Sequence, residues 1–130
     1  MTDFQKAAAA AASGMRAQSA RMRIASENLA NADSTGYRRK TVAFTDELDR
    51  TSGARTVAID RIDTDNAPLN QRYDPSHPLA DGQGYVTGSN VNMLMEVADA
   101  RESQRSYRAN LSIFDQTRQI YGEILGLLRR

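Results

Sequence analysis

The chain has 130 residues, with no Cys, 17 basic against 16 acidic side chains and a net charge of +1. That length suits one domain, the lack of Cys excludes disulfides and thiolate metal sites, and the charge balance excludes the marked basic excess of a dedicated nucleic-acid binder. Only 40% of the residues are hydrophobic, and three Phe, five Tyr and no Trp supply too little aromatic bulk for a compact core; an elongated helical protein completed by partners fits better.

The first element is helical. Phe4, Ala8, Ala11, Met15, Gln18, Met22, Ala25, Leu29 and Ala32 are spaced alternately by four and three, the a and d positions of a heptad seam. The intervening residues favour helix apart from Gly14, and the spacing predicts a helix from about Asp3 to about Ala32. Its many Ala positions let a partner helix approach closely. The run Ala7 to Ala12 is too weakly apolar for the core of a cleaved signal, with Asp3 ahead of it and only Lys6 basic. No apolar run approaches the ~20 residues of a bilayer span.

The stretch ASENLANADSTGYRRK, Ala25 to Lys40, ends this helix. Asn31, Asp33, Ser34 and Gly36 supply the side-chain hydrogen bonds and the left-handed residue that stop a helix. Asn28 and Asn31 lie three apart and share roughly one face of the last turn. Their amides are suited to bonding both its free carbonyls and a neighbouring chain. Arg38, Arg39 and Lys40 complement the helix dipole. Without a broader basic field they read as a solvated turn exit rather than an anion or partner site.

Residues 36–90 contain all three Pro, most of the Gly and the β-favouring runs KTVAF, RTVAIDRI and GYVTG. Turn signals at Thr51-Ser52-Gly53, Asp65-Asn66-Ala67-Pro68 and Asp81-Gly82 divide them, which predicts an extended or partly β segment. Chemistry is sparse in it. His77 stands alone between Ser76 and Pro78, a turn histidine rather than a zinc ligand. The acids of Asp60 to Pro68 lack the Gly and Glu of an EF-hand loop. Gly82, Gly84 and Gly88 miss the dinucleotide pattern, because Thr87 stands where it needs Gly. No nucleophile–base set or carboxylate pair stands out, so no catalytic residue, metal site or cofactor is expected.

The last element repeats the first. Met93, Val97, Ala100, Gln104, Tyr107, Leu111, Phe114, Arg118, Tyr121, Leu125 and Leu128 again alternate by four and three. A second row, Ala109, Ile113, Ile120, Ile124 and Leu127, widens the stripe. The pattern predicts a helix from about Asn92 to Leu128, ~55 Å long. Its large side chains suit the small ones of the first helix. The expected fold is therefore mainly α: long N- and C-terminal helices paired as a coiled coil, around an inserted segment. Residues 1–35 and 91–130 form the core domain, and 36–90 the insertion.

Ser13-Gly14-Met15 followed by the Ala25–Lys40 stretch resembles the N-terminal signature of the flagellar rod and hook axial proteins. YDPSHPLADGQGYV, Tyr73 to Val86, is similar to a stretch of that family's proximal rod member. In the last helix Arg105, Tyr107, Ala109 and Asn110 match the family's Arg-x-Tyr-x-Ala-Asn core. Asp33-Ser34-Thr35 replaces a frequent Asn-Thr-Thr. Ser89 stands where the family favours Pro, a change expected to loosen the approach to the last helix.

The resemblance implies a non-enzymatic structural subunit of the bacterial flagellar basal body, polymerising through its terminal helices to build the proximal rod, its drive-shaft and the wall of its export channel. It implies export by the flagellar type III apparatus without a cleaved signal, and a place in the periplasm-spanning rod. The implied partners are other rod proteins, adjoining ring and export components, and further copies of the chain, with neither nucleic acid nor membrane insertion. Expected assembly contacts are Asn28, Leu29, Asn31, Gly36, Tyr37, Tyr107, Asn110, Leu111, Phe114, Tyr121, Leu125 and Leu128. The alternative is a helical adaptor or secretion chaperone that binds a client through its coiled-coil face.

Overall fold

The computed structural model describes residues 2–129. Two helices enclose two short hairpins: α1 spans Asp3–Ala30, β1 Lys40–Leu48, β2 Arg55–Thr64, β3 Gln71–Tyr73, β4 Tyr85–Thr87 and α2 Met93–Leu128. Thr2 opens α1 with a capping box, its hydroxyl accepting from the Gln5 N–H at 3.2 Å while the Gln5 side chain accepts from the Thr2 N–H at 3.0 Å. Asn92 caps α2, its Oδ1 accepting from Leu94 and Met95. The sequence boundaries of both helices hold to within two residues.

The helices lie side by side and antiparallel. Phe4 meets Tyr121 with ring centroids 5.9 Å apart, Gly14 faces Asn110, and Arg21 is paired with Asp99. At Gly14 the helices approach closely. A Cβ there would lie 2.8–2.9 Å from the Asn110 amide, so with Asn110 in this position the crossing favours a residue without one.

The seam on α2 differs from the expected row. Ala100, Tyr107, Phe114 and Tyr121 are at least half-buried as expected, but Gln104, Leu111 and Arg118 turn outward. Ser103, Asn110 and Thr117 take their place, one position earlier each time. Their polarity hid them from a hydrophobic pattern. Each bonds a carbonyl one turn back: Ser103 Oγ to Asp99 at 2.7 Å, Asn110 Nδ2 to Ser106 at 3.0 Å and Thr117 Oγ1 to Ile113 at 2.7 Å. With that bond made within the helix, burial costs little, and short side chains allow the close packing that Gly14 permits. Leu128, another expected seam residue, is exposed.

β1 and β2 form an antiparallel hairpin that folds back along a second face of α1. Its base meets the C-terminal end of α1 where Asn28 bonds Lys40. Midway, the Val57 N–H donates to Ser13 Oγ at 3.1 Å, and near the tip Gly53 lies beside Lys6. Packed on two sides, α1 buries Ala11, Ser13, Ala17, Ala20, Ile24, Ala25 and Asn28, a wider stripe than one heptad seam. Asp60 is an extra residue in β2, between the pairs Phe44–Ile59 and Ala43–Arg61; such a bulge increases local twist. β3 and β4 make a second, three-pair hairpin, with the Tyr73 and Tyr85 rings 5.3 Å apart.

Candidate functional site

The chain's most connected polar cluster lies where α1 ends, β1 begins and α2 starts. Asn31 closes α1: its N–H bonds back into the helix, and its Nδ2 donates to the Glu27 carbonyl at 2.9 Å. Ser34 Oγ then donates to Asn31 Oδ1. Gly36 turns the chain with φ +75°, the left-handed conformation expected at this position. Its N–H donates to the Gly88 carbonyl at 3.1 Å, which ties the turn to the far end of the inserted segment.

Asn28 is fully buried. Its Nδ2 donates to the Lys40 carbonyl at 2.9 Å, and its Oδ1 accepts from the Lys40 N–H at 2.8 Å and from the Tyr37 hydroxyl at 2.8 Å. The side-chain amide thus pairs with the first residue of β1 as a neighbouring strand would. Burial, and then the Glu27 carboxylate, raise the Tyr37 phenol above its ordinary value; it remains a donor at neutral pH. Lys40 Nζ in turn pairs with Glu27 Oε1 at 2.5 Å, and that bond raises the Lys40 ammonium.

The basic triplet is not a solvated exit. Arg39 Nε donates to Glu96 Oε1 at 2.7 Å, with the Glu96 side chain only 1% exposed, and Arg39 Nη1 pairs with Asp65 at 3.3 Å. Burial pulls the guanidinium down, but the Glu96 contact outweighs it and the net shift is upward. Arg38 donates to the Ala67 carbonyl at 3.1 Å. The cations therefore close the molecule on itself: the tertiary fold brings Glu96, 57 residues away, to a place that local sequence could not reveal. Asn90 completes the cluster, accepting from the Arg39 N–H and donating to the carbonyls of Asp65 and Ala67. Asp65 is held below the ordinary carboxylate range by the Ala67 N–H and then by Arg39.

Ser89 also behaves differently from expectation. It is buried, its Oγ donates to the Ala32 carbonyl and accepts from the Val91 N–H. The hydroxyl fastens the approach to α2 rather than loosening it.

The structure separates the expected contact residues into two groups. Asn28, Leu29, Asn31 and Tyr37 gather at the junction, buried or half-buried, with the exposed Gly36 turn beside them. Asn28 and Tyr37 spend their polar groups within the chain, and so do the Asn31 side-chain amide and carbonyl. On α2, Tyr107, Asn110, Phe114, Tyr121 and Leu125 are half-buried, while Leu111 and Leu128 are exposed. His77 sits in a turn, its Nδ1 accepting from the Leu79 N–H at 3.0 Å. Arg61 bridges Asp60 and Asp63, and among the described residues no three metal-binding side chains converge. Sequence reading missed Glu96, Asp65 and Asn90; the only signal was that each is a polar residue close to a turn or helix start.

This cluster joins the two stretches that compare most clearly with known proteins. Residues 9–38 match the family model described as "Flagella basal body rod protein", and residues 83–127 match "Flagellar basal body rod FlgEFG protein C-terminal". The chain is similar to the flagellar basal-body rod protein FlgC of Agrobacterium fabrum, 45% identical over 136 aligned positions that cover 99% of this chain and 98% of that protein. It is 37% identical to FlgC of Salmonella typhimurium, covering 90% and 92% of the two chains, and 30% identical to FlgC of Borreliella burgdorferi, covering 92% and 93%. With both ends matched to rod models and the full length aligned to these relatives, the chain belongs to the FlgC family of flagellar basal-body rod proteins.

Proposed function

We propose that this structural rod subunit, which is not an enzyme, builds the proximal rod by packing α1 and α2 against neighbouring subunits as a coiled coil around the export channel. The observation that carries this reading is the apolar surface left over after the two helices have paired. Ile113, Ile120, Ile124, Leu127 and Leu128 remain exposed on the C-terminal half of α2, and an exposed apolar row of this length marks an interaction face. Leu111 is exposed on the opposite flank of the seam, and Gly36 and Leu29 border the junction. Other rod proteins, ring and export components and further copies are the partners, and the chain reaches its place in the periplasm-spanning rod as a type III export substrate without a cleaved signal. Family membership does not favour the adaptor alternative.

The test is rod recovery and swimming in a strain whose only copy carries Ile120→Asp. The site is exposed, so the purified chain should keep its circular dichroism while the assembly face loses its apolar centre. The expected result is loss of rods and of swimming at normal expression. Normal swimming would remove α2 from the assembly face.

A further inference from the structure

The face of α2 turned away from α1 carries its charges in two separate blocks. Residues spaced alternately by four and three stay on one side of a helix. The row through Arg101, Arg105 and Arg108 continues in this way to Asp115, all exposed. It lies opposite Ser103 and Asn110, which face α1. Glu123, also exposed, stands on the same side further along. The first half of this face is therefore basic and the second half acidic. Arg118 lies off the row, over the Phe114 ring, and Arg129 follows the helix as its cap.

Neither block is satisfied within the chain. Like charges three and four apart on a helix repel, and none of these arginines or acids has an ion-pair partner among the described residues. The neighbouring Glu102 leans on Arg21 instead, at 3.9 Å. The acidic half also contains Gly122 and Gly126, four apart. Glycine weakens a helix interior, yet a Cβ at either position would meet nothing within 4 Å. Packing within the chain does not require these glycines. They leave a flat patch beside the acids that another helix can approach closely.

We infer that this outer face of α2 pairs with the same face of a second copy, running in the same direction and displaced by about two heptads, ~21 Å. This rests on the rod-assembly reading and adds the face, the direction and the stagger. Asp115 of one copy then meets Arg101 of the next, and Gln119 meets Arg105. Arg108 of the next copy lies over Gly122 with Glu123 beside it, and Ser112 sits on Gly126. Arg108 and Ser112 of the first copy meet the uncharged Leu94 and Ala98. No stagger sets like charge on like, and a displacement of one heptad sets Arg108 on Arg101; two heptads bring no like charges together. Exposed pairs add little affinity each, but such repulsion selects the register. Each copy uses its acidic half on one neighbour and keeps its basic half for another, the open series that an extending assembly needs. An antiparallel pairing centred on Ser112 uses both halves at once and closes a dimer. Other acids fit the basic block less well: Asp60 and Asp63 are paired with Arg61, and Asp46 and Glu47 share their end of the hairpin with Arg55.

The chain has no Cys, so introduced thiols report only their own positions. Two full-length forms, one carrying Ser112→Cys and the other Gly126→Cys, are co-expressed in place of the native copy. Rods are isolated, oxidised and resolved without reductant. A disulfide requires Cβ atoms about 4 Å apart, and the expected product is the mixed dimer in excess of either same-position dimer. A Ser112→Cys same-position dimer alone shows the antiparallel pairing and overturns the stagger. No cross-link in rods containing both forms overturns the contact while leaving rod assembly intact. Rods that form without either chain sink the assembly reading and this inference with it. Should a thiol at 126 prevent rods, Arg101→Cys with Asp115→Cys decides by the mixed dimer in the same way. In a second arm, Arg101→Glu/Arg108→Glu is expected to lower rod recovery about tenfold, and added Asp115→Arg/Glu123→Arg to restore it by exchanging the two blocks. Failure of the restoration counts against the charge pairing.

Discussion

The side chain of Asn28 holds the backbone of Lys40 at both its N–H and its carbonyl, at 2.8 and 2.9 Å, and receives the Tyr37 hydroxyl as well. One amide thus fixes the angle at which β1 leaves α1. Asn28→Ala leaves three polar groups short of a partner, each costing about 1 kcal/mol or more when water cannot replace it. The expected loss is about 3 kcal/mol, read as a lowered urea midpoint. Asn31→Ala, which removes bonds at a half-exposed helix end, should lose about 1 kcal/mol. Equal losses in the two variants would show that Asn28 does not anchor the hairpin.

Arg39→Ala isolates the Glu96 carboxylate inside the junction. Removing one member of a buried pair costs about 3–5 kcal/mol, whereas replacing both with apolar side chains is often neutral. Arg39 is partly exposed, so about 3 kcal/mol is expected. Rod recovery should fall further in Arg39→Ala than in Asn31→Ala, the reverse of what the turn sequence by itself suggests. The double variant Arg39→Met/Glu96→Leu should regain most of the stability. If it is no more stable than Arg39→Ala, the unpaired carboxylate is not the source of the loss.

Gly14→Ala sets helix propensity against packing. Alanine gains up to about 1 kcal/mol over glycine within a helix, but its Cβ would meet the Asn110 amide at 2.8–2.9 Å. Asn110 can yield only by giving up its bond to the Ser106 carbonyl or by pushing the helices apart, and overpacking of this kind costs about 1–3 kcal/mol. The variant should be less stable than the parent. Adding Asn110→Ala should reverse the sign, so that Gly14→Ala becomes stabilising in that background. A double-mutant cycle on chemical denaturation measures the coupling, and additivity would show that the two residues do not touch.

Acid should loosen the inserted segment first. Asp49 is held below its ordinary value by the Ser52 hydroxyl and the Thr51 N–H, and Asp65 by the Ala67 N–H and Arg39. Both pKa values are lowered in the folded chain, so the stabilisation is complete above about pH 4, the ordinary carboxylate value. It is lost as pH falls through the lower folded values. Urea midpoints measured from pH 7 to pH 2 should fall below pH 4 in the parent and fall less steeply in Asp49→Asn/Asp65→Asn. Parallel curves would place the acid sensitivity elsewhere.

What the sequence determined by itself was the local order of the chain. The heptad spacing and the Gly36 turn act over a few residues, so the two helices, their approximate ends and the β character between them were legible in the order of side chains. Ala100, Tyr107, Phe114 and Tyr121 were rightly placed in the seam because their apolarity and spacing agree. The tertiary structure decided the rest. Ser103, Asn110 and Thr117 displace larger apolar residues because a polar group bonded to its own helix can be buried, and a hydrophobic pattern does not register that. Arg39 finds Glu96 only after strands pair and helices cross, because long-range contact rather than local preference brings those side chains together.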